Sequence, residues 1–206
     1  MDNTPLEIEI FSDFVCPWCY LASAVVEKLA LTIPLTIKWS AFPLHPGTPQ
    51  EGLLLSELLR GVNLDSIHQR LYTLMDELGL EHGQRNYTFN STLAQELALW
   101  AATQTDSTAL HKLIFRAYFV HNRNLALPEV LLDLVAAAKL DVTAASAVLQ
   151  KRSFCKAVEA SWERARQFQI TGVPTFIAGA YQCSGFQPLQ ELQRFIEYVQ
   201  QQQALA

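Results

Sequence analysis

Two cysteines spaced to share one turn of helix, Cys16 and Cys19, stand in the run Cys16-Pro17-Trp18-Cys19. A pair at that spacing serves metal ligation, a structural disulfide or reversible thiol–disulfide exchange. A structural zinc ion needs two further Cys or His ligands at workable spacing. The remaining cysteines, Cys155 and Cys183, are isolated, and no histidine stands within four residues of either, so no metal is expected. Four cysteines in 206 residues are too few for a disulfide scaffold. Exchange chemistry is the favoured reading, with Cys16 as nucleophile and Cys19 as the thiol that resolves the mixed disulfide.

The flanking pattern supplies the elements that such a pair needs. Leu6-Glu7-Ile8-Glu9-Ile10-Phe11 alternates with the period of a strand, and a short loop, Ser12-Asp13-Phe14-Val15, leads into a helix over Cys16–Leu31. The strand end places the first cysteine at the helix N-terminus, where unsatisfied backbone N–H groups and the helix dipole stabilise a thiolate. A second strand over Leu35–Ala41 completes a βαβ unit, whose parallel pairing requires a crossover of this kind.

Near the other end, Thr171-Gly172-Val173-Pro174-Thr175-Phe176-Ile177 sets a proline directly before a short apolar strand. Proline lacks the N–H that a strand interior uses. Taken alone, this proline reads as an ordinary trans residue opening an edge strand. Alongside Cys16-Pro17-Trp18-Cys19, a cis Val173–Pro174 bond is expected, since X–Pro is the linkage at which cis is inexpensive. Thr175–Ile177 and Tyr181–Ser184 form a hairpin through Ala178-Gly179-Ala180, Pro188 opens a last helix, and the tail from Gln200 is expected to fray.

A strand, C-P-x-C, a helix and a late G-V-P-T-F strand resemble the thioredoxin superfamily, and more narrowly its DsbA family and the cytoplasmic FrnE-like branch. The narrower resemblance rests on Ser12–Tyr20, Ala41-Phe42-Pro43-Leu44-His45-Pro46, Asn90-Ser91-Thr92-Leu93-Ala94, Ala117-Tyr118-Phe119, Gly172–Phe176 and Ser184-Gly185-Phe186-Gln187-Pro188. It covers nearly the whole chain. Cys16 and Pro174 are 158 positions apart, with a largely helical stretch between. Leu54, Leu55, Leu58 and Leu59, then Ile67, Leu71, Leu74, Met75 and Leu78 recur at helical spacing, with Asp65 or Ser66 as cap of the second helix and Gln69 completing a capping box from Ser66. Further helical blocks run from Asn90 to about Thr103, Asp106 to Val120, Pro128 to Lys139, Thr143 to Leu149 and Ser153 to Phe168. The expected architecture is α/β: a thioredoxin-like domain from residues 1–50 and 150–206, interrupted by an all-helical insertion domain over 51–149.

The resemblance implies that Val173, held by cis-Pro174, pairs its backbone with a substrate segment beside Cys16, that Pro17 and Trp18 tune the couple, and that the loop bearing His45 lies near the active site. The strongly oxidising periplasmic relatives carry a histidine in the C-P-x-C slot. Trp18 supplies no charge there but offers a stacking face, so a less oxidising couple is expected. Many thioredoxin-type proteins also carry a buried acid six residues before the first cysteine; that position here is Ile10. Asp13 is the nearest carboxylate and is read equally as a proton carrier for Cys19 or as a cap for its loop. Cys155, beside Val158 and Trp162 at helical spacing, and Cys183 on an apolar strand read as buried. Trp39, Trp100, Trp162, Phe115 and Phe119 read as packing, with His111, Tyr118 and His121 on the same helical stretch.

Composition bounds the partners. Half of the residues are hydrophobic, enough to build a core without staples. A net charge of −5 without a basic cluster argues against nucleic acid or an anionic membrane. No run reaches transmembrane length. Met1–Pro5 shows no cationic segment and no apolar stretch before the first strand, so a cytoplasmic protein without a secretory signal is expected. The leading functional reading is a thiol–disulfide oxidoreductase acting on disulfide- or thiol-containing proteins or small molecules. It needs no bound cofactor, and glutathione is its candidate redox partner. Two alternatives stand beside it. One is a glutathione-dependent isomerase or transferase of the kappa and 2-hydroxychromene-2-carboxylate isomerase type, whose members typically carry serine where Cys16 stands. The other is a holdase chaperone.

Overall fold

The computed structural model describes residues 5–104 and 108–205. A four-stranded mixed sheet is built around β1 (Leu6–Ser12). The strand β2 (Leu35–Ala41) runs parallel to it, in register from Leu6 opposite Leu35 to Ser12 opposite Ala41. On the other side, β5 (Thr175–Ala178) pairs antiparallel with Glu9–Phe11, and β6 (Tyr181–Ser184) returns as a hairpin with Gly179 at positive φ. The β1–β2 crossover is α1 (Pro17–Ala30).

Alternation along β1 decides what covers each face. Leu6, Ile8 and Ile10 point to the side where α1 and α9 (Leu189–Ala204) pack, with Val25, Leu29 and Ile196 completing that core. Phe11 points to the opposite side, against Phe42, Ile177 and Ala165 of α8 (Cys155–Gln167). Glu9 lies on that same side and is 4% exposed. Its carboxylate accepts three hydrogen bonds from Arg164 on α8 (2.8–3.1 Å) and one from the Ser40 hydroxyl (2.6 Å), and forms an ion pair with Lys38 (3.1 Å). Burial by itself would raise this carboxyl's pKa, but the Arg164, Ser40 and Lys38 contacts outweigh it and hold the pKa below the ordinary range.

Between β2 and α8 the chain forms β3 (Leu53–Leu54), the single turn α2 (Leu55–Leu58), α3 (Leu64–Leu78), β4 (Tyr87–Thr88), α4 (Thr92–Ala101), α5 (Thr108–Phe119), α6 (Pro128–Ala137) and α7 (Val142–Lys151). This stretch is not all-helical: Leu53 and Leu54 pair antiparallel with Thr88 and Tyr87, so Leu54 belongs to a strand. Its helices share one apolar cluster, including Leu71, Met75, Leu97, Ile114 and Phe115, which continues into Cys19, Tyr20 and Leu21 of α1. The site helix is therefore packed into the helical body along its first turns.

Three further expectations are corrected. The cap of α3 is Asn63 rather than Asp65 or Ser66: its Oδ1 accepts the Ser66 N–H at 3.0 Å, and the helix begins a turn before the apolar periodicity shows itself. The C-terminal tail stays helical to Ala204. Cys155 and Cys183 are partly exposed rather than buried: Cys155 opens α8 next to Glu159, and Cys183 lies on β6, which pairs on one edge only. The expected helix start at Asp106 lies outside the described residues. Gly83 meets a tight passage, where a Cβ would lie 2.1 Å from the Val120 carbonyl oxygen.

Candidate active site

The loop from Ser12 to Cys16 is stitched to its neighbours before any thiol is considered. The Cys16 N–H donates to Asp13 C=O (3.1 Å) and the Phe42 N–H donates to Ser12 C=O (3.0 Å). The Asp13 side chain is buried and accepts the N–H groups of Val15 (3.2 Å) and Leu44 (3.0 Å), with the Ser91 hydroxyl facing it as well. One carboxylate thus ties together the β1–α1 loop, the loop after β2 and the start of α4. Burial pushes its pKa up, more than Ser91, Val15, Leu44 and the nearby His45 pull it down. Of the two roles read for Asp13, this geometry displays the loop-organising one.

Cys16 is the N-cap residue of α1 (φ −86°, ψ 117°), and its carbonyl accepts the N–H groups of Cys19 (3.1 Å) and Tyr20 (3.2 Å). Pro17 occupies the first helical position, where no intrahelical donor is needed. The Cys16 side chain does not cap the helix. It donates to the Val173 carbonyl at 3.4 Å, across 157 positions of sequence. The Val173–Pro174 bond is cis. The Gly185 N–H binds Pro174 C=O at 2.8 Å, and the Thr175 hydroxyl binds Gly172 C=O at 2.8 Å, which anchor this turn on both sides.

Cys16 and Cys19 are free thiols, and Cys19 is wholly buried. Burial pushes the Cys19 thiol well up, and the neighbouring Cys16 adds to that, while the Ser12 hydroxyl and the Asp13 backbone N–H favour its thiolate. Ile10 is fully buried on the α1/α9 side, so an apolar side chain fills the position where a buried acid would stand. Around Cys16, Trp18, Leu44, Val173 and Phe186 are partly buried, with the Trp18 and Phe186 rings 6.2 Å apart. His45 is partly buried beside Asp13; burial depresses its basicity, and the Asp13 charge works the other way.

The fold therefore brings Cys16, Pro17, Trp18, Cys19, Val173 and Pro174 together, with His45 behind Asp13. Ser12 and Phe186 were not singled out as site residues from sequence. Both lie in segments that carry the family resemblance, but a serine ending a strand and a lone aromatic after a glycine signal nothing by themselves. Among the described residues, no group of three or more His, Cys, Asp or Glu is placed to hold a metal ion, and no helix is long and apolar enough to cross a membrane.

A family model for the DSBA-like thioredoxin domain matches residues 7–197. The chain belongs to that family. It is 26% identical over 185 residues to the uncharacterized protein YwbO of Bacillus subtilis, covering 84% of this chain and 87% of that one. The crystal structure of the probable DsbA oxidoreductase SCO1869 from Streptomyces coelicolor superposes with a TM-score of 0.87 at 26% identity, over 94% of this chain and 89% of that one. A 2-hydroxychromene-2-carboxylate isomerase superposes with a TM-score of 0.76 at 19% identity, over 97% and 98% of the two chains, which is a likeness of fold. The family model and the SCO1869 superposition both show the DsbA-like thioredoxin fold, a mixed sheet with many helices.

Proposed function

We propose that this protein is a thiol–disulfide oxidoreductase in which Cys16 attacks and Cys19 resolves. The observation that carries the reading is the position of Cys16: a free thiol at the N-terminus of α1, 3.4 Å from the Val173 carbonyl that precedes Pro174. In the reducing direction, the Cys16 thiolate attacks one sulfur of a substrate disulfide and expels the other as a thiolate. Cys19 then attacks Cys16 Sγ, freeing the second substrate sulfur and leaving a Cys16–Cys19 disulfide. Two electrons pass to the substrate. The reverse sequence oxidises a dithiol.

The Val173 backbone is the pairing partner for an extended substrate segment, and the Trp18, Leu44 and Phe186 side chains offer apolar contact to residues beside its cysteine. Disulfide-bearing peptides, proteins and small molecules fit this surface, and glutathione fits as reductant. A reducing compartment, the cytoplasm, suits the same reading, since Cys155 and Cys183 are additional unpaired thiols with partial exposure.

The test is the equilibrium potential of the Cys16–Cys19 pair against glutathione, followed by alkylation and mass, with Cys16→Ser as the control. With Trp18 in place of a histidine, the expected couple is more reducing than about −120 mV, the value of strongly oxidising relatives. The absence of any reversible couple would sink the reading and leave the glutathione-transferase and chaperone alternatives.

A further inference from the structure

A cleft of about 360 Å³ runs between the outer side of β2, the back of α1 and the helices α4 and α5. Its exposed rim includes Lys38, Ala102 and Thr108, and its buried floor includes Ser12, Ser40 and Gln95. The floor polar groups are satisfied with one exception. Ser40 donates to Glu9, while Gln95 binds Phe42 C=O, the Ser91 hydroxyl and the Trp162 indole N–H. The Ser12 hydroxyl, on a residue only 7% exposed, has no hydrogen-bond partner among the described residues. A buried hydroxyl left unpaired is destabilising, so its persistence at this point calls for a use.

We propose that Ser12 is the proton relay for Cys19, linking the buried thiol to water in the β2–α4–α5 cleft and replacing the carboxylate that Ile10 excludes. The proposal rests on the oxidoreductase reading. The Ser12 side chain favours the Cys19 thiolate, and Ser12 lines the cleft, so it borders both ends of the path. The Asp13 carboxylate is a poor competitor, because its oxygens are committed to Val15, Leu44 and Ser91. A thiol is a weak acceptor, whereas a thiolate is a strong one. The hydroxyl therefore gains its bond only when Cys19 ionises, and an interaction made only on the reacting form accelerates the step.

The balance is simple. In the resolving step the Cys19 proton passes to Ser12 Oγ as the Ser12 hydroxyl proton passes to cleft water. The Cys19 sulfur bonds to Cys16 Sγ, the Cys16–substrate S–S bond breaks, and the leaving substrate sulfur takes a proton from solvent. The substrate disulfide is reduced by two electrons, the dithiol is oxidised by two, and Ser12 ends as it began. The charged and titratable groups around the path are Cys16 on α1, Asp13 in the site loop, His45 after β2, His111 on α5, and Glu27 and Lys38 along the cleft. His111 is pushed down to about 3 by burial, with Lys112 adding to the shift, and stays neutral over the working range.

The experiment uses the full chain with Cys155→Ser and Cys183→Ser and the chromogenic disulfide 5,5′-dithiobis(2-nitrobenzoate). The first thionitrobenzoate released reports attack by Cys16, and the second reports resolution by Cys19. With Ser12→Ala, the second release is expected to slow about a hundredfold near neutral pH, with the deficit shrinking as rising pH lets hydroxide take the proton directly. Ser12→Thr, which keeps the hydroxyl, is expected to restore the rate to within a few-fold. Resolution by Ser12→Ala at the unsubstituted rate across the pH range overturns the relay. So does an equal slowing of Ser12→Ala and Ser12→Thr at every pH, which marks a packing role. If the protein with native Ser12 releases no second equivalent, the oxidoreductase reading itself fails and takes the relay with it.

Discussion

Cys16 and Cys19 differ by one turn of helix and by very different surroundings. Cys16 is 3% exposed and donates to the Val173 carbonyl, whereas Cys19 is fully buried. Under the proposed function that asymmetry would separate attacker from resolver, and it yields a direct prediction. Cys19→Ala is expected to accumulate a mixed disulfide on Cys16 when given oxidised glutathione, seen as an adduct in the intact mass, and Cys16→Ser to form none in the Cys155→Ser/Cys183→Ser background. Asp13 gives a second prediction. Its removal leaves the buried Val15 N–H and the partly buried Leu44 N–H without their acceptor. Asp13→Ala is therefore expected to destabilise the fold by about 1–3 kcal/mol in urea unfolding and to loosen the loop that presents Cys16.

At the scale of elements, a buried carboxylate anchors the contact between β1 and α8 beside the packing of Phe11 on Ala165. Glu9 is held by Arg164, Ser40 and Lys38, and the Arg164 and Lys38 side chains keep part of their exposure. Glu9→Gln removes the charge while keeping the shape, and is expected to cost about 1.5–3 kcal/mol at neutral pH. The pH dependence follows from the direction of the shift. A carboxyl whose folded pKa is lowered contributes stability above the ordinary glutamate range and loses it as pH falls through the lowered value. The difference between the native and Glu9→Gln proteins should therefore narrow on acidification, read from urea midpoints. On α3, Asn63→Ala removes the N-cap bond to Ser66 and is expected to cost about 1 kcal/mol.

Across the whole molecule, the sheet and the helical body meet at Trp39, Phe14, His111 and Phe115. The His111 ring stacks on Trp39 at 4.2 Å and meets Phe14 and Phe115 edge-on at 5.0 Å. With its folded pKa near 3 and an unfolded value of about 6.5, neutral His111 contributes stability that is fully present above the unfolded value and is lost as pH falls below it. The slope from this one group is at most about 1.4 kcal/mol per pH unit. His111→Phe, measured by thermal unfolding between neutral and mildly acidic pH, is expected to flatten that part of the profile. Much of this organisation was legible in the chain, because it is written in local patterns. Period-two alternation gave β1, the C-P-W-C run gave a dithiol opening α1, and glycine and proline marked the late turn. Asn63 escaped notice because a cap precedes the apolar periodicity that announces its helix. The β3–β4 ladder escaped because two-residue strands have no period. The sequence by itself determined where the paired thiols stand and which elements bear them. Only the tertiary structure decided that Val173 reaches Cys16, that Asp13 joins Leu44 and Ser91, and that Ser12 lines a cleft with β2, α4 and α5, because contacts between remote segments follow from sheet register and helix packing, which no local window of residues contains.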